Sequence, residues 1–310
     1  MVKGKLPKIS EVDLVRRIAG WVRATPCPAS PVVLGIGDDC AVYRPRGGRE
    51  DLVFTTDLLI EDVHFRRQTH RAEDVGWKCL ARGLSDIAAM GAEPRFCLLS
   101  LAVAKWAGAK WVEGFYRGLL RLARREDTVL AGGDLARAAK VTCDIVVCGA
   151  VPRGRALRRD GAHAGDIIYV SGALGGSALG LATGSGKAWK RHVRPEARLA
   201  LGRFLREKLR ATAAMDLSDG LSLDLRRMCE ASGLRAEIEA PPVYPRATLE
   251  QALHGGEDYE LLFTAPPRVN VPTDFMGLAL TRIGTMRRGR PGVILDGEPL
   301  AALGWDHFAL

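Results

Sequence analysis

Aspartates recur in this chain just beyond short apolar runs, beside glycine or a hydroxyl residue: Asp38-Asp39, Thr55-Thr56-Asp57, Asp134 and Asp216-x-x-Asp219. Asp86 differs, since Leu84-Ser85-Asp86-Ile87 falls inside a predicted helix. Hard cations such as Mg²⁺ take oxygen ligands and are shared between a few carboxylates and substrate phosphates. Strand ends bring such groups together, and glycine lets the backbone approach a phosphate closely. Any one of these aspartates equally fits a helix cap or a turn. The whole set points to metal binding, because clustered aspartates repel unless cations lie between them.

Other chemistries find less support. Gly35-Ile36-Gly37-Asp38-Asp39-Cys40 starts like a dinucleotide fingerprint, but Cys40 stands where the third glycine belongs. Thr183-Gly184-Ser185-Gly186-Lys187-Ala188 looks like the end of a P-loop, yet Leu181 breaks the glycine spacing and Ala188 replaces the Mg²⁺-binding hydroxyl. ATP, if bound, is held by another route. The histidines form no HExxH or tight pair, and only His64, close after Thr56-Asp57, stands near the acidic motifs. Ser218 lacks a GxSxG frame. Basic clusters such as Arg153/Arg155/Arg158/Arg159 contain no aromatic residue, so nucleic acid is not the expected partner.

The positioning elements follow from periodicity. The patterns predict helices over about 72–90, 108–125, 195–210 and 220–232 and strands over about 96–104, 141–151 and 261–264. A further apolar run from Thr128 to Ala131 is expected to end before Gly132-Gly133-Asp134, as Leu52-Val53-Phe54 leads into Thr55-Thr56-Asp57. Pro152-Arg153-Gly154 suggests a boundary between domains 1–152 and 153–310. The expected fold class is α/β (α+β) in two domains.

With 310 residues and 47% hydrophobic content, the chain buries a full core without staples. Its formal charge is +9, which attracts anions without choosing among them. The seven cysteines, Cys27, Cys40, Cys79, Cys97, Cys143, Cys148 and Cys229, include no CxxC and read as reduced thiols. The start lacks a secretory h-region, and no apolar run reaches the ~18–20 residues of a membrane span. A cytoplasmic location and no membrane partner are expected.

Together, LGIGDDCAV (34–42), TTDLLIEDVHF (55–65), LSDIAAMGAEP (84–94), GGD (132–134), MDLSDGLSLDL (215–225), GGEDYELLFT (255–264) and GWDHF (304–308) resemble the thiamine-monophosphate kinase family, in that family's order. The family belongs to a superfamily with aminoimidazole ribonucleotide synthetase. The resemblance implies an N-terminal domain that dimerises through its sheet, a C-terminal α+β domain, and ATP with several Mg²⁺ ions in the cleft. By motif, Asp38, Thr55, Thr56, Asp57, Asp86, Asp134, Asp216 and Asp219 match the family's metal ligands. Gly133, Asp134, Arg159 and Ser218 match ATP contacts, and His64, Glu257 and Trp305 match positions near thiamine phosphate. An indole face favours a cationic ring such as thiazolium. Two positions depart from the family pattern: Leu135 follows GGD where a small hydroxyl residue is usual, and Arg125 or Glu126 replaces an aromatic.

The implied reaction is transfer of the ATP γ-phosphoryl group to thiamine monophosphate. A sibling synthetase activity is the alternative within the superfamily, and a basic nucleic-acid-binding protein is the alternative outside it.

Overall fold

The computed structural model describes residues 10–24 and 30–308. Cys27 lies outside them; the other six cysteines are buried and free. The first half runs α1 (Glu11–Ala24), β1 (Val32–Leu34), β2 (Ala41–Tyr43), β3 (Glu50–Ile60), α2 (Ala72–Ala89), β4 (Glu93–Ala104), α3 (Ala109–Arg125), β5 (Val129–Ala138) and β6 (Thr142–Pro152). Its six-stranded sheet has the order β1-β2-β3-β6-β4-β5, antiparallel except for the β4–β5 pair.

The second half runs β7 (Ile167–Ser171), α4 (Gly176–Thr183), α5 (Gly186–Val193), α6 (Leu199–Phe204), β8 (Ala213–Asp216), α7 (Leu221–Ser232), β9 (Arg235–Ile238), α8 (Leu249–His254), β10 (Leu261–Ala265), β11 (Asp274–Phe275), β12 (Leu278–Arg287), β13 (Gly292–Leu295) and β14 (Glu298–Pro299). A second sheet has the order β14-β13-β9-β12-β7-β10-β8, with β11 beside β12. The fold is therefore mixed α/β, in two halves that each carry a sheet. No helix among the described residues is long and apolar enough to cross a membrane.

Two expectations need correction. Thr55-Thr56-Asp57 lies inside β3, and Gly132-Gly133-Asp134 lies inside β5, so neither is a loop beyond a strand. The apolar runs used to place the strand ends were too short a guide, because β5 is a solvent-facing edge strand whose second half needs no apolar side chains. Gly133 is needed in that strand: a Cβ there would lie 1.8 Å from the Leu99 carbonyl oxygen of the neighbouring β4.

Helices α2 and α3 pack on one face of the first sheet over a core that includes Leu80, Leu84, Phe115, Leu119, Ile145 and Val147. The other face stays open, with Leu58, Leu98 and Val129 exposed and Phe54 and Phe96 half-buried along it. Because side chains alternate along a strand, consecutive motif residues part company here. Thr55 is buried on the helix side, whereas Thr56 points to the open side and donates to Asp144 Oδ1 at 2.6 Å.

Candidate active site

Helix α2 organises the site. Lys78, Arg82, Ser85 and Asp86 recur at helical spacing and form a polar stripe on a helix that is otherwise almost wholly buried. Each meets a group from another element. Lys78 Nζ lies 2.8 Å from the Glu257 carboxylate. Arg82 pairs with Asp57 at 2.5 Å and donates to the Leu58 carbonyl at 3.1 Å. Ser85 Oγ donates to Asp216 at 2.6 Å, and Asp86 accepts from Thr55 Oγ1. The helix thus joins β3 of the first sheet to the end of β8 in the second.

At the C-terminal end of that stripe three carboxylates converge. Oxygen atoms of Asp39, Asp86 and Asp216 all lie within 4.8 Å of one another. Asp39 reaches the cluster from the turn between β1 and β2, and its Oδ2 is buried without a hydrogen-bond partner among the described residues. Burial, then the charges of Asp216 and Asp39, push the Asp86 carboxyl well above the usual range. Burial and Asp39 do the same to Asp216. Burial and Asp39 raise Asp38 to about 7, although Arg159 pulls the other way. Several buried, mutually repelling carboxylates with an orphaned oxygen match the oxygen donor set of a divalent cation.

Arg159 faces this cluster from the second half. Its guanidinium pairs with Asp39, and its backbone N–H donates to Asp38 Oδ2 at 3.2 Å. Asp219 follows β8 and pairs with Arg227 at 2.5 Å. Asp224 is fully buried, accepts the backbone N–H groups of Asp219 and Gly220 at 3.0 and 3.1 Å, and thereby shapes the turn.

A second group of residues borders the Asp57–Arg82 pair. The backbone N–H of Glu257 donates to the Ser218 carbonyl at 2.7 Å, and that of Tyr259 to the Leu217 carbonyl at 2.9 Å. These bonds hold Glu257 and Tyr259 at φ 64° and 51°, a strained geometry of the kind found at functional sites. Gly256 permits the approach, since a Cβ there would sit 2.7 Å from the Ser218 carbonyl oxygen. Burial alone would raise the Glu257 carboxyl, but Lys78, His192 and Arg82 hold it at about 2.

The C-terminal tail then folds back. The Trp305 backbone N–H donates to the Asp219 carbonyl at 2.9 Å, leaving the indole half exposed. Trp305 meets His307 edge-on at 5.6 Å, and His307 lies 5.2 Å from His64. His64 Nδ1 accepts from the Ile60 N–H at 3.0 Å, and burial with the Arg82 charge drives its pKa down to about 3. The ring is therefore neutral at pH 7.

Of the residues singled out in the sequence, Asp38, Thr55, Asp86, Asp216 and Arg159 gather around the carboxylate cluster. Asp57, Asp219, Ser218, His64, Glu257 and Trp305 border it on the tail side. Thr56, Gly133 and Asp134 do not join them. Thr56 lies on the open face with Asp144, and Asp134 is in register, through Ser100, with Asp144 on that same face. Leu135 is exposed, while Arg125 lies over the Trp77 ring at 4.7 Å and pairs with Glu196 at 2.6 Å.

Sequence reasoning missed Lys78, Arg82, Ser85, Asp224 and Arg227, and passed over Asp39 in favour of its neighbour. The i, i+4, i+7, i+8 polar spacing on α2 was the available signal for the first three.

Residues 37–151 match the N-terminal domain, and residues 163–293 the C-terminal domain, of the AIR synthase related protein family. The thiamine-monophosphate kinase of Escherichia coli K12 is 39% identical, covering 96% of this chain and 98% of that protein. The Bacillus subtilis thiamine-monophosphate kinase is 35% identical over 90% of this chain and 94% of that protein. A solved structure described as "AaThiL complexed with AMPPCP and TMP" superposes with TM-score 0.86 at 32% identity, covering 99% of this chain and 100% of that one.

Proposed function

The chain belongs to the thiamine-monophosphate kinase family, and we propose that it makes thiamine diphosphate from thiamine monophosphate and ATP by direct phosphoryl transfer assisted by several Mg²⁺ ions. The observation that carries the metal part is the convergence of Asp39, Asp86 and Asp216. Asp38, Thr55, Asp57 and Asp219 extend that donor set. Bound Mg²⁺ neutralises phosphate charge and aligns the oxygens for displacement. Residues 1–152 supply most of the metal ligands, and 153–310 complete the nucleotide and substrate site.

An oxygen of the substrate phosphate attacks the γ-phosphorus in line, the bond to the bridging oxygen breaks, and ADP leaves. A phosphate monoester with a second pKa of about 6 is mostly dianionic at pH 7, so no general base is required. The chain's own work is to position two anions and offset their repulsion. Arg159 and Ser218 face the nucleotide. Glu257, kept ionised by Lys78, accepts from the aminopyrimidine, while His64 and the exposed Trp305 face border the thiazolium.

The test is incubation with ATP, Mg²⁺ and thiamine monophosphate, with products identified by mass spectrometry. Thiamine diphosphate and ADP are expected in equal amounts, and neither in EDTA. ADP formed without thiamine diphosphate would move the acceptor to a sibling's substrate.

The open face of the first sheet supports a homodimer. Leu58 on β3, Leu98 on β4 and Val129 on β5 are exposed on this face and stay in water unless a second copy covers them. Thr56, Asp134 and Asp144 would then lie at the pairing face. Light scattering is expected to give twice the chain mass, and Leu98→Asp to give a monomer.

A further inference from the structure

A cavity of about 400 Å³ lies where the linker between the two sheets meets the turn after α6. Arg155, Arg158, Arg206 and Arg210 line it, together with Asp160 and Thr212. Thr212 precedes β8 and Asp216 ends it, so the cavity sits about 13 Å from the carboxylate cluster at 3.3 Å per residue. Arg159 belongs to the same short turn as Asp160 but is directed the other way, onto Asp38 and Asp39.

Arg206 is the telling residue. It is only 3% exposed, and a single guanidinium nitrogen, Nη2, is engaged, at 2.8 Å from Glu207 and 3.5 Å from Glu93. Its Nε and Nη1 are buried with no hydrogen-bond partner among the described residues. A buried N–H without an acceptor is costly, and a guanidinium presents its donors in a fork that fits phosphate oxygens. Arg158 is paired with Asp160, whereas Arg155 and Arg210 are exposed and meet no carboxylate among the described residues. The lining therefore carries four guanidinium groups against one carboxylate, around a volume suited to a small ligand.

We propose that this cavity is a second ligand site, separate from the phosphoryl-transfer site, that takes a diphosphate group, free or esterified. Arg206 supplies buried donors at its floor, and Arg155 and Arg210 close on the ligand from the rim.

Calorimetric titration of the full chain in EDTA tests this with three probes: inorganic pyrophosphate, ADP and thiamine diphosphate. Two double variants are compared with wild type, Arg155→Ala/Arg210→Ala at the cavity and Arg288→Ala/Arg290→Ala on the distant β12–β13 turn. Both remove the same charge from exposed positions, and both are expected to keep wild-type turnover. At least one probe should bind tenfold or more weakly to the cavity variant and unchanged to the other. Whichever probe loses most identifies the free or esterified source. If no probe binds, or if both variants weaken binding equally, the proposal is overturned.

Discussion

Asp86→Asn is expected to lower turnover by about 10³-fold, the scale seen when a preorganised electrostatic contact is removed, while making the metal-free protein harder to unfold. The substitution keeps the acceptor for Thr55 Oγ1 and changes little volume, so the hydrogen bond survives and only the charge goes. That charge is held among Asp39 and Asp216 in a buried place, where burial and both neighbours oppose it. A carboxyl whose pKa is raised in the folded state lends stability below its unfolded value of 3.8, and that stability is lost as the pH rises through the folded value. Asp38 and Asp224, each raised to about 7 with burial as the main cause, add to the same trend.

Without divalent cations, the melting temperature of the wild type should therefore fall as the pH rises from about 4 through about 7. The Asp86→Asn variant should fall less and melt a few degrees higher. Mg²⁺ should reverse the order, since a ligand at a hundred times its Kd adds about 2.7 kcal/mol to the state that binds it. Thermal melts with EDTA and with Mg²⁺ read all of this. A wild-type melting temperature unmoved by Mg²⁺ would sink the metal assignment, whatever the kinetics showed.

Lys78→Met should cost about 3 to 5 kcal/mol of stability, because it leaves a buried carboxylate without its main cation. Lys78 is fully buried and its ammonium lies against Glu257. Burial draws the Lys78 pKa down while Glu257 draws it up, so the lysine alone is a strained charge. Glu257 is surrounded by Lys78, Arg82 and the buried His192 ring, and the ionised pair is the state that the two cations, Lys78 and Arg82, favour together. Glu257 contributes stability above pH 4.5 that is lost as the pH falls toward about 2.

The double variant Lys78→Met/Glu257→Gln should recover most of the lost stability, as neither charge is then stranded. It should not recover substrate binding: KM for thiamine monophosphate is expected to stay raised by at least tenfold, with kcat less affected. Chemical denaturation and steady-state kinetics on the three variants separate the two roles. If the double variant regained wild-type KM, Glu257 would be structural only.

Much of the fold is legible in the sequence. The periods over α2, α3 and α7 and the apolar runs of β6 and β10 are local properties, since one buried stripe or strand leaves its pattern in consecutive residues. The family resemblance is legible for a related reason. GIGDD, LSDIAAMGA and GGEDYEL are contiguous stretches in which several demands on backbone and side chain fall on neighbouring residues, such as the glycine before a strained Glu257.

What the chain's order does not encode locally is which motif faces which. Thr55 and Thr56 are adjacent in sequence, yet one meets Asp86 under the helices and the other meets Asp144 on the open face, because strand neighbours point to opposite sides. Asp134 shares the acidic, glycine-flanked look of Asp219, but its strand carries it to the open face. Lys78 looks like a solvated helix lysine until Glu257, 179 residues later, is folded against it. The residue types and their spacing pointed to phosphate chemistry and to carboxylates as candidate metal ligands. Only the packing of α2 between the two sheets decided which carboxylates share a site, since charges interact through distance in space, not along the chain.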